Sequence, residues 1–302
     1  MEEGSDVGNE SSKLTSYFLL ILLIVIWGVS WPIYKNGVNF MPPLLFAGAR
    51  AFIGGFILLI FALKIRYLLK FKENWRFYCI SAVLNMVLYL GIQTIGIIYL
   101  PGGLFSVIVY FQPVLLGIMA WYFLGEEMTI LKIIGLILGF IGIVFVSIDG
   151  LIVHVSAIGV TLALATALVW ASGVIYVKKN KTRVHPFWMV VMQLVIGGST
   201  LLVSGLVTEN VHDIVWNVEL ISSIIWGAIA GMSIAQVIYF KLMNEGEASK
   251  VGAFTFIVPI LSVIVSAIFL KESITFNLFL GMLLVGVSIY LVNRPPKKLS
   301  IY

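Results

Sequence analysis

Charge is what this sequence has least of. Its 302 residues hold 19 Lys or Arg and 14 Asp or Glu, 11% of the whole, where a soluble globular domain carries about 25%. A soluble chain of this length would lack the polar residues to cover its own outside, so an ordinary soluble enzyme is excluded. Cysteine is scarcer still. Cys79 stands alone, so no disulfide can form within the chain and the redox compartment cannot be read. The three histidines, His154, His185 and His212, are scattered between apolar runs and offer no metal-ligand cluster. The sequence has no phosphate-cradling GxxxxGK[ST] loop, which speaks against direct ATP drive. The first residues, MEEGSDVGNESSK, lack the basic start and small-residue cleavage site of a secretory signal, so the first apolar run is expected to stay in the mature chain.

What is present is apolar surface: 61% of residues and a mean hydropathy of +1.08. A bilayer core about 30 Å thick needs roughly 20 apolar residues per helix. Ten such runs can be read, at about 17–36, 43–63, 76–98, 102–124, 130–148, 156–177, 186–207, 220–242, 250–270 and 275–293. The connections between them are short. If the N-terminus is cytoplasmic, sixteen of the nineteen cations fall on the cytoplasmic side, Lys35 and Lys271 fall outside, and Arg50 lies within a span. That asymmetry is the positive-inside pattern. The net charge of +5 therefore describes orientation, with both termini inside, and no nucleic-acid partner is expected.

The chain also repeats itself. Pro113, Phe123, Glu126, Thr129 and Gly135 meet Pro259, Phe269, Glu272, Thr275 and Gly281 at a shift of 146, and Pro43 and Ile53-Gly54-Gly55 meet Pro186 and Ile196-Gly197-Gly198 at a shift of 143. Matched Leu and Ile are cheap in apolar sequence; matched Pro, Glu and Thr are not. Each copy holds five spans, an odd number, so the second must enter the membrane upside down. The expected fold is an all-α integral membrane protein of ten transmembrane helices, arranged as two inverted five-helix repeats. The tails are 1–16 and 294–302, and the repeats are 17–148 and 156–293. Inverted repeats are the architecture of secondary transporters, with solute bound near the midplane.

These residues carry a resemblance. Trp27-Gly28-x-x-Trp31-Pro32, the run around Gln112-Pro113, the Gly125-Glu126 turn and the glycine-rich helix from Gly135 to Gly142, with Pro259, Glu272 and Gly281 repeating the pattern, resemble the EamA-type members of the drug/metabolite transporter superfamily over nearly the whole chain. The resemblance implies a multi-pass protein of the plasma (bacterial inner) membrane that works by alternating access. In many relatives it implies efflux of amino acids, other metabolites or drugs. It does not fix the substrate.

Candidate site residues follow from polarity at depth. Arg50 sits about seven residues into the second span, roughly 10 Å deep at 1.5 Å per residue, where a charge costs about 2.5–3.5 kcal/mol on the insertion scale. The structural reading is an Arg that snorkels or satisfies backbone carbonyls. The functional reading is a cation for an anionic group of the substrate, and Gln193 is its repeat counterpart. Polar stripes at helical spacing run through Asn85, Tyr89 and Gln93, through Gln236 and Tyr239, and through Tyr110 and Pro113. Trp27, Trp31 and Tyr34 share a face, and Trp170 lies deep in its span. Trp121, Tyr122 and Trp226 fit a surface belt of aromatics. Packing between helices is the bland account of the deep ones; a shared cavity for a small amphipathic or zwitterionic solute is the other. Aromatic faces also suit organic cations. Pro32, Pro113 and Pro259 are expected as interior kinks or hinges. No carboxylate lies mid-span, and Glu126 and Glu272 read as caps of the helices beginning near Thr129 and Thr275. Gly135, Gly139 and Gly142 read as a close-packing face, within the monomer or at a homodimer contact.

The expected function is secondary transport, exporting small metabolites without any cofactor, with a small-molecule substrate and membrane lipid as partners. Organic-cation or drug efflux and a nucleotide-sugar-type carrier are the alternatives from the same superfamily. The rival from another class, a polytopic enzyme acting on lipid, would need a reactive cluster at a membrane face.

Overall fold

The computed structural model describes the backbone of residues 3–99, 105, 108–147, 156–270 and 276–294, and every regular element among them is helical. The reason is solvent. In lipid each N–H and C=O must be paired inside its own segment, and a helix does that. In chain order the helices are α1 Glu3–Gly37, α2 Pro43–Ala62, α3 Phe71–Gly96, α4 Gln112–Leu124, α5 Ile130–Ser147 and α6 Ala157–Lys179. There follow α7 Pro186–Thr208, α8 Val218–Glu245, α9 Ala248–Phe254, α10 Ile257–Leu270 and α11 Phe276–Asn293. Glu272, Thr275, Asp149, His154 and Ser106 lie outside the described residues.

Six helical stretches are long and apolar enough to cross a membrane: 14–37, 43–68, 71–96, 157–179, 186–208 and 218–245. The other expected spans hold shorter apolar helices among the described residues. Two of them are broken by a turn just before a proline. Tyr110 and Phe111 form a turn, and α4 starts at Gln112 with Pro113 in its first turn. Thr255 and Phe256 likewise separate α9 from α10, which starts two residues before Pro259. A proline in a first turn removes no intrahelical bond, because those N–H groups have no partner within the helix anyway. Pro113 and Pro259 therefore begin helices instead of kinking them, while Pro32 lies inside α1 as expected.

The chain forms two compact units. The first, residues 1–91 with 180–246, contains α1, α2, nearly all of α3, α7 and α8. Its centre is the contact of α2 on α7, where glycines bring backbones together. A side chain at Gly48 would meet Leu202, one at Gly55 would meet Val195, one at Gly198 would meet Phe52 and one at Gly205 would meet Leu45. As the number on one helix rises, its partner's falls in step, so the helices run antiparallel. The pattern is also reciprocal under the repeat. Gly54 abuts Ala228 and Met232, and its counterpart Gly197 abuts Ala82 and Met86, each pair displaced by the shifts read in sequence. A reciprocal contact of this kind is the mark of a two-fold relation.

The second unit, residues 92–179 with 247–302, contains α4, α5, α6, α9, α10 and α11. Here α5 lies antiparallel on α11: Gly135 faces Val292 and Leu291, Gly139 faces Ser288, and Gly142 faces Gly281, Leu284 and Val285. The glycine face of α5 thus packs within the chain.

Candidate functional site

The first unit buries polar side chains on four of its helices, Arg50 on α2, Asn85 on α3, Gln193 on α7 and Gln236 on α8. The Arg50 side chain is 2% exposed and lies between two rings, with Cζ 3.8 Å from the centre of Tyr34 and 4.5 Å from that of Phe46. Its guanidinium also interacts with Tyr34 and Tyr89. Its Nε donates a long hydrogen bond, 3.4 Å, to the Phe46 carbonyl one turn back. Nη1 has no hydrogen-bond partner. Desolvated cation–π contacts are worth about 2 kcal/mol each, enough to offset an insertion cost of about 3 kcal/mol. They leave Nη1 unsatisfied, and a buried unpaired donor costs about 1–3 kcal/mol. The fold holds the charge without completing its hydrogen bonds.

Space for this arrangement comes from α8. A side chain at Gly227 would lie 2.4 Å from Arg50 Cδ, and one at Gly231 would lie 1.8 Å from the Tyr34 hydroxyl. Both glycines belong to a π-helical segment, Gly227–Ile234. A second such segment, Val83–Leu88, interrupts α3, and the 146-residue shift carries it onto 229–234. Widened turns of this kind are frequent at functional sites. Ser233 fastens the α8 segment to α2, its hydroxyl donating to the Gly54 carbonyl at 3.0 Å. Trp226 does the same toward α1, its Nε1 donating to Ser30 Oγ at 2.9 Å. Trp226 is thus a tie between helices as well as a membrane aromatic.

More polar atoms in this unit are buried without hydrogen-bond partners: Asn85 Oδ1, Gln236 Oε1, and both Nε2 and Oε1 of Gln193, whose residue is 0% exposed. Asn85 uses its Nδ2 on the Ser81 carbonyl at 3.0 Å. The Trp27 ring lies 5.1 Å from that of Tyr239, Trp31 is half-buried, and Tyr89 is close enough to Arg50 to interact electrostatically with it. The first unit therefore holds Trp27, Trp31, Arg50, Asn85, Tyr89, Gln193, Gln236 and Tyr239 from the predicted set. Gln93, Tyr110, Gln112 and Trp170 fall in the second. There Tyr110 and Trp170 are buried, as is Gln112, with its Oε1 unpaired. Sequence reasoning missed Phe46, Gly227 and Gly231. Phe46 could have been found, since it precedes Arg50 by one turn on the same helix face.

Buried charge in the second unit is arranged differently. Glu126 does not cap the helix beginning near Thr129. It accepts from the backbone N–H of Ala248 at 2.6 Å and of Ser249 at 3.1 Å, and from the Ser249 hydroxyl at 2.7 Å, so it caps α9 from across the unit. Lys178 at the end of α6 completes it, 3.0 Å away. Burial pushes the Glu126 carboxyl up, but the Ser249 hydroxyl, the two N–H groups and Lys178 together hold it below the usual carboxylate range. Beside it Lys132 bonds Glu247 at 2.6 Å and the Glu127 carbonyl at 2.8 Å. Burial also raises Glu247, and Lys132 and Lys250 outweigh that and lower it. In the first unit the distant cap is Glu209, which accepts from Leu44 and Leu45 N–H at the start of α2, at 2.8 and 2.9 Å. Among the described residues no group of three His, Cys, Asp or Glu could hold a metal ion.

Comparison with known proteins agrees with this architecture. The EamA-like transporter family matches the chain twice, over residues 14–148 and 157–294. An uncharacterized transporter of Bacillus subtilis is 47% identical over 94% of this chain and 93% of its own length. An Escherichia coli protein named "Probable amino-acid metabolite efflux pump" is 26% identical over 90% of this chain and 93% of its own. A solved crystal structure superposes with a TM-score of 0.79 at 16% identity, covering 92% of this chain and 96% of that one; it shows likeness of fold.

Proposed function

The chain belongs to the EamA-like transporter family, a membrane transporter and not an enzyme, and from that premise we propose that it exports small carboxylate-bearing metabolites, amino acids among them. Arg50 receives the carboxylate. The observation that carries this is the guanidinium buried between Tyr34 and Phe46 with Nη1 unpartnered. An Arg placed only for structure would finish its hydrogen bonds on backbone carbonyls; this one leaves a donor where a carboxylate would bond it, at about 1.5–3 kcal/mol for a charged hydrogen bond. The unpaired amide oxygens of Asn85, Gln193 and Gln236 can accept from an ammonium group, which suits a zwitterion. Trp27, Trp31, Tyr34 and Tyr239 supply apolar faces for the rest of the solute. Gln93, Tyr110, Gln112 and Trp170 supply polar and aromatic groups of the same kinds in the second unit. A buried fixed cation opposes an organic cation as substrate.

The transport step we assign is alternating access by two inverted five-helix repeats, ten membrane helices in all, with both termini in the cytoplasm of the bacterial inner membrane. The antiparallel, reciprocal packing of α2 on α7 and of α5 on α11 supports the inversion. We assign bending to Pro32 within α1 and to the repeat-related turns that precede Pro113 and Pro259. The test is purified protein in sealed vesicles loaded with a labelled amino-acid mixture. Exit of unaltered amino acids, above that from empty vesicles, is expected. Exit of organic cations alone, or recovery of chemically altered product, would overturn the reading.

A further inference from the structure

The three ion pairs among the described residues all lie in the second unit, on Lys132, Lys178 and Lys250. A denser group of cations lies in the first unit and joins none of them. The connection from α2 to α3 and the first turns of α3 carry Lys64, Arg66, Lys70, Lys72 and Arg76, all exposed, against the single acid Glu73. Between the cations stand large rings turned outward: Tyr67 at 72% exposure, Trp75 at 47% and Phe71 at 44%. We propose that this connection is a docking surface for the phosphate headgroups of anionic phospholipids.

The position follows from the fold. The segment joins two helical stretches, 43–68 and 71–96, that are both apolar and long enough to cross a membrane, so it lies at a membrane surface. Its backbone is fastened inward at two points. Trp188 Nε1 donates to the Ile65 carbonyl at 2.9 Å, and the Tyr78 hydroxyl donates to the Leu69 carbonyl at 2.8 Å. Lys70, at a left-handed φ of 41°, reverses the chain between them. The Phe71 ring lies over Tyr78, 6.1 Å centre to centre and 8° from parallel, and the Arg76 guanidinium lies 5.4 Å from the centre of the Trp75 ring. The backbone is thus tied to the unit while the cations, Tyr67 and Trp75 stay exposed and Phe71 keeps one face open. Aromatic rings settle at headgroup depth, and clustered Lys and Arg next to a span attract anionic lipid. Here the two are interleaved on one fixed turn, so the rings set the depth at which the cations meet phosphate. A soluble polyanion would use the cations and leave the rings without a role.

The experiment uses the full chain in bilayers of phosphatidylcholine mixed with a minority of phosphatidylglycerol, with spin-labelled versions of each lipid as probes. The readout is the ratio of the two labels held in the immobile shell around the protein. The wild type is expected to favour the phosphatidylglycerol label, and to lose that preference as salt is raised toward about 1 M, where the screening length falls to about 3 Å. The combined variant Lys64→Gln, Arg66→Gln, Lys72→Gln and Arg76→Gln is expected to lower the preference about tenfold. The charge-keeping pair Lys64→Arg and Lys72→Arg should retain it. No preference in the wild type at low salt would overturn the proposal, whatever the variants do. So would equal preference in the fourfold variant, or full displacement of the lipid label by millimolar inorganic phosphate.

Discussion

The two units treat buried polarity in opposite ways. In the second, Glu126 receives two backbone N–H groups, a hydroxyl and Lys178, and Lys132 is bonded to both Glu247 and the Glu127 carbonyl. Those charges are finished, and they hold helix ends together. In the first, Arg50, Asn85, Gln193 and Gln236 each leave a buried atom unbonded. Satisfied networks fix a structure, whereas unsatisfied ones cost stability unless something arrives to complete them. The contrast is not total, since Gln112 Oε1 and Ser288 Oγ in the second unit are also unpaired. It is strong enough to set the proposed binding surface apart from the scaffold.

Substitutions in each unit should therefore fail differently. The largest effect is expected from Glu126→Ala, which strands Lys178 and uncaps α9: a loss of about 3 kcal/mol, read as a lowered Tm, with substrate affinity unchanged in the protein that remains folded. Gly231→Ala comes next. Its methyl group would strike the Tyr34 hydroxyl and move the ring off Arg50, so KM for a carboxylate substrate should rise several-fold, with a stability cost of about 1 kcal/mol. Gln193→Leu should do the reverse of Glu126→Ala. Replacing an unbonded buried amide with an apolar side chain should leave Tm unchanged or raised, by up to about 1 kcal/mol, while transport falls. If Gln193→Leu instead destabilised as strongly as Glu126→Ala, the distinction between the units would be lost.

The smallest effect is a pH dependence. Glu126 and Glu247 sit below the ordinary carboxylate value of 4.5. A lowered folded-state value means the stabilisation is present above the unfolded value and disappears as pH falls through the folded one. The stability gap between wild type and Glu126→Gln should thus be full at pH 7 and narrow on acidification below about 4.5. A gap that widened in acid would reverse the sign of the assignment.

Much of this was legible in the sequence, for physical reasons that differ by residue. Apolar runs and the positions of cations reveal helices because lipid admits little else. The repeat was visible in Gly54-Gly55 and Gly197-Gly198, and the structure supplies the cause: these glycines let backbones meet reciprocally. Arg50 stood out because a charge at depth is expensive. Its rings did not, because which side chain folds over a guanidinium depends on the direction of Tyr34 and on the space left by Gly227 and Gly231 on another helix. Glu126 misled because a local cap and a distant one look alike in sequence; its partners are Ala248 and Ser249. The breaks before Pro113 and Pro259 are not legible in the sequence, because the turns Tyr110-Phe111 and Thr255-Phe256 contain no glycine or second proline to announce them.

The central claim is that Arg50 is unfinished until substrate binds. It is tested most directly by comparing wild type and Arg50→Gln in sealed vesicles, with Tm measured on the same preparations. Exit of a carboxylate-bearing solute is expected to fall ten- to a hundredfold, corresponding to about 1.5–3 kcal/mol, while Tm stays within a few degrees. Unchanged transport in a correctly folded Arg50→Gln protein would contradict it, and Arg50 would then be a structural cation held by two rings.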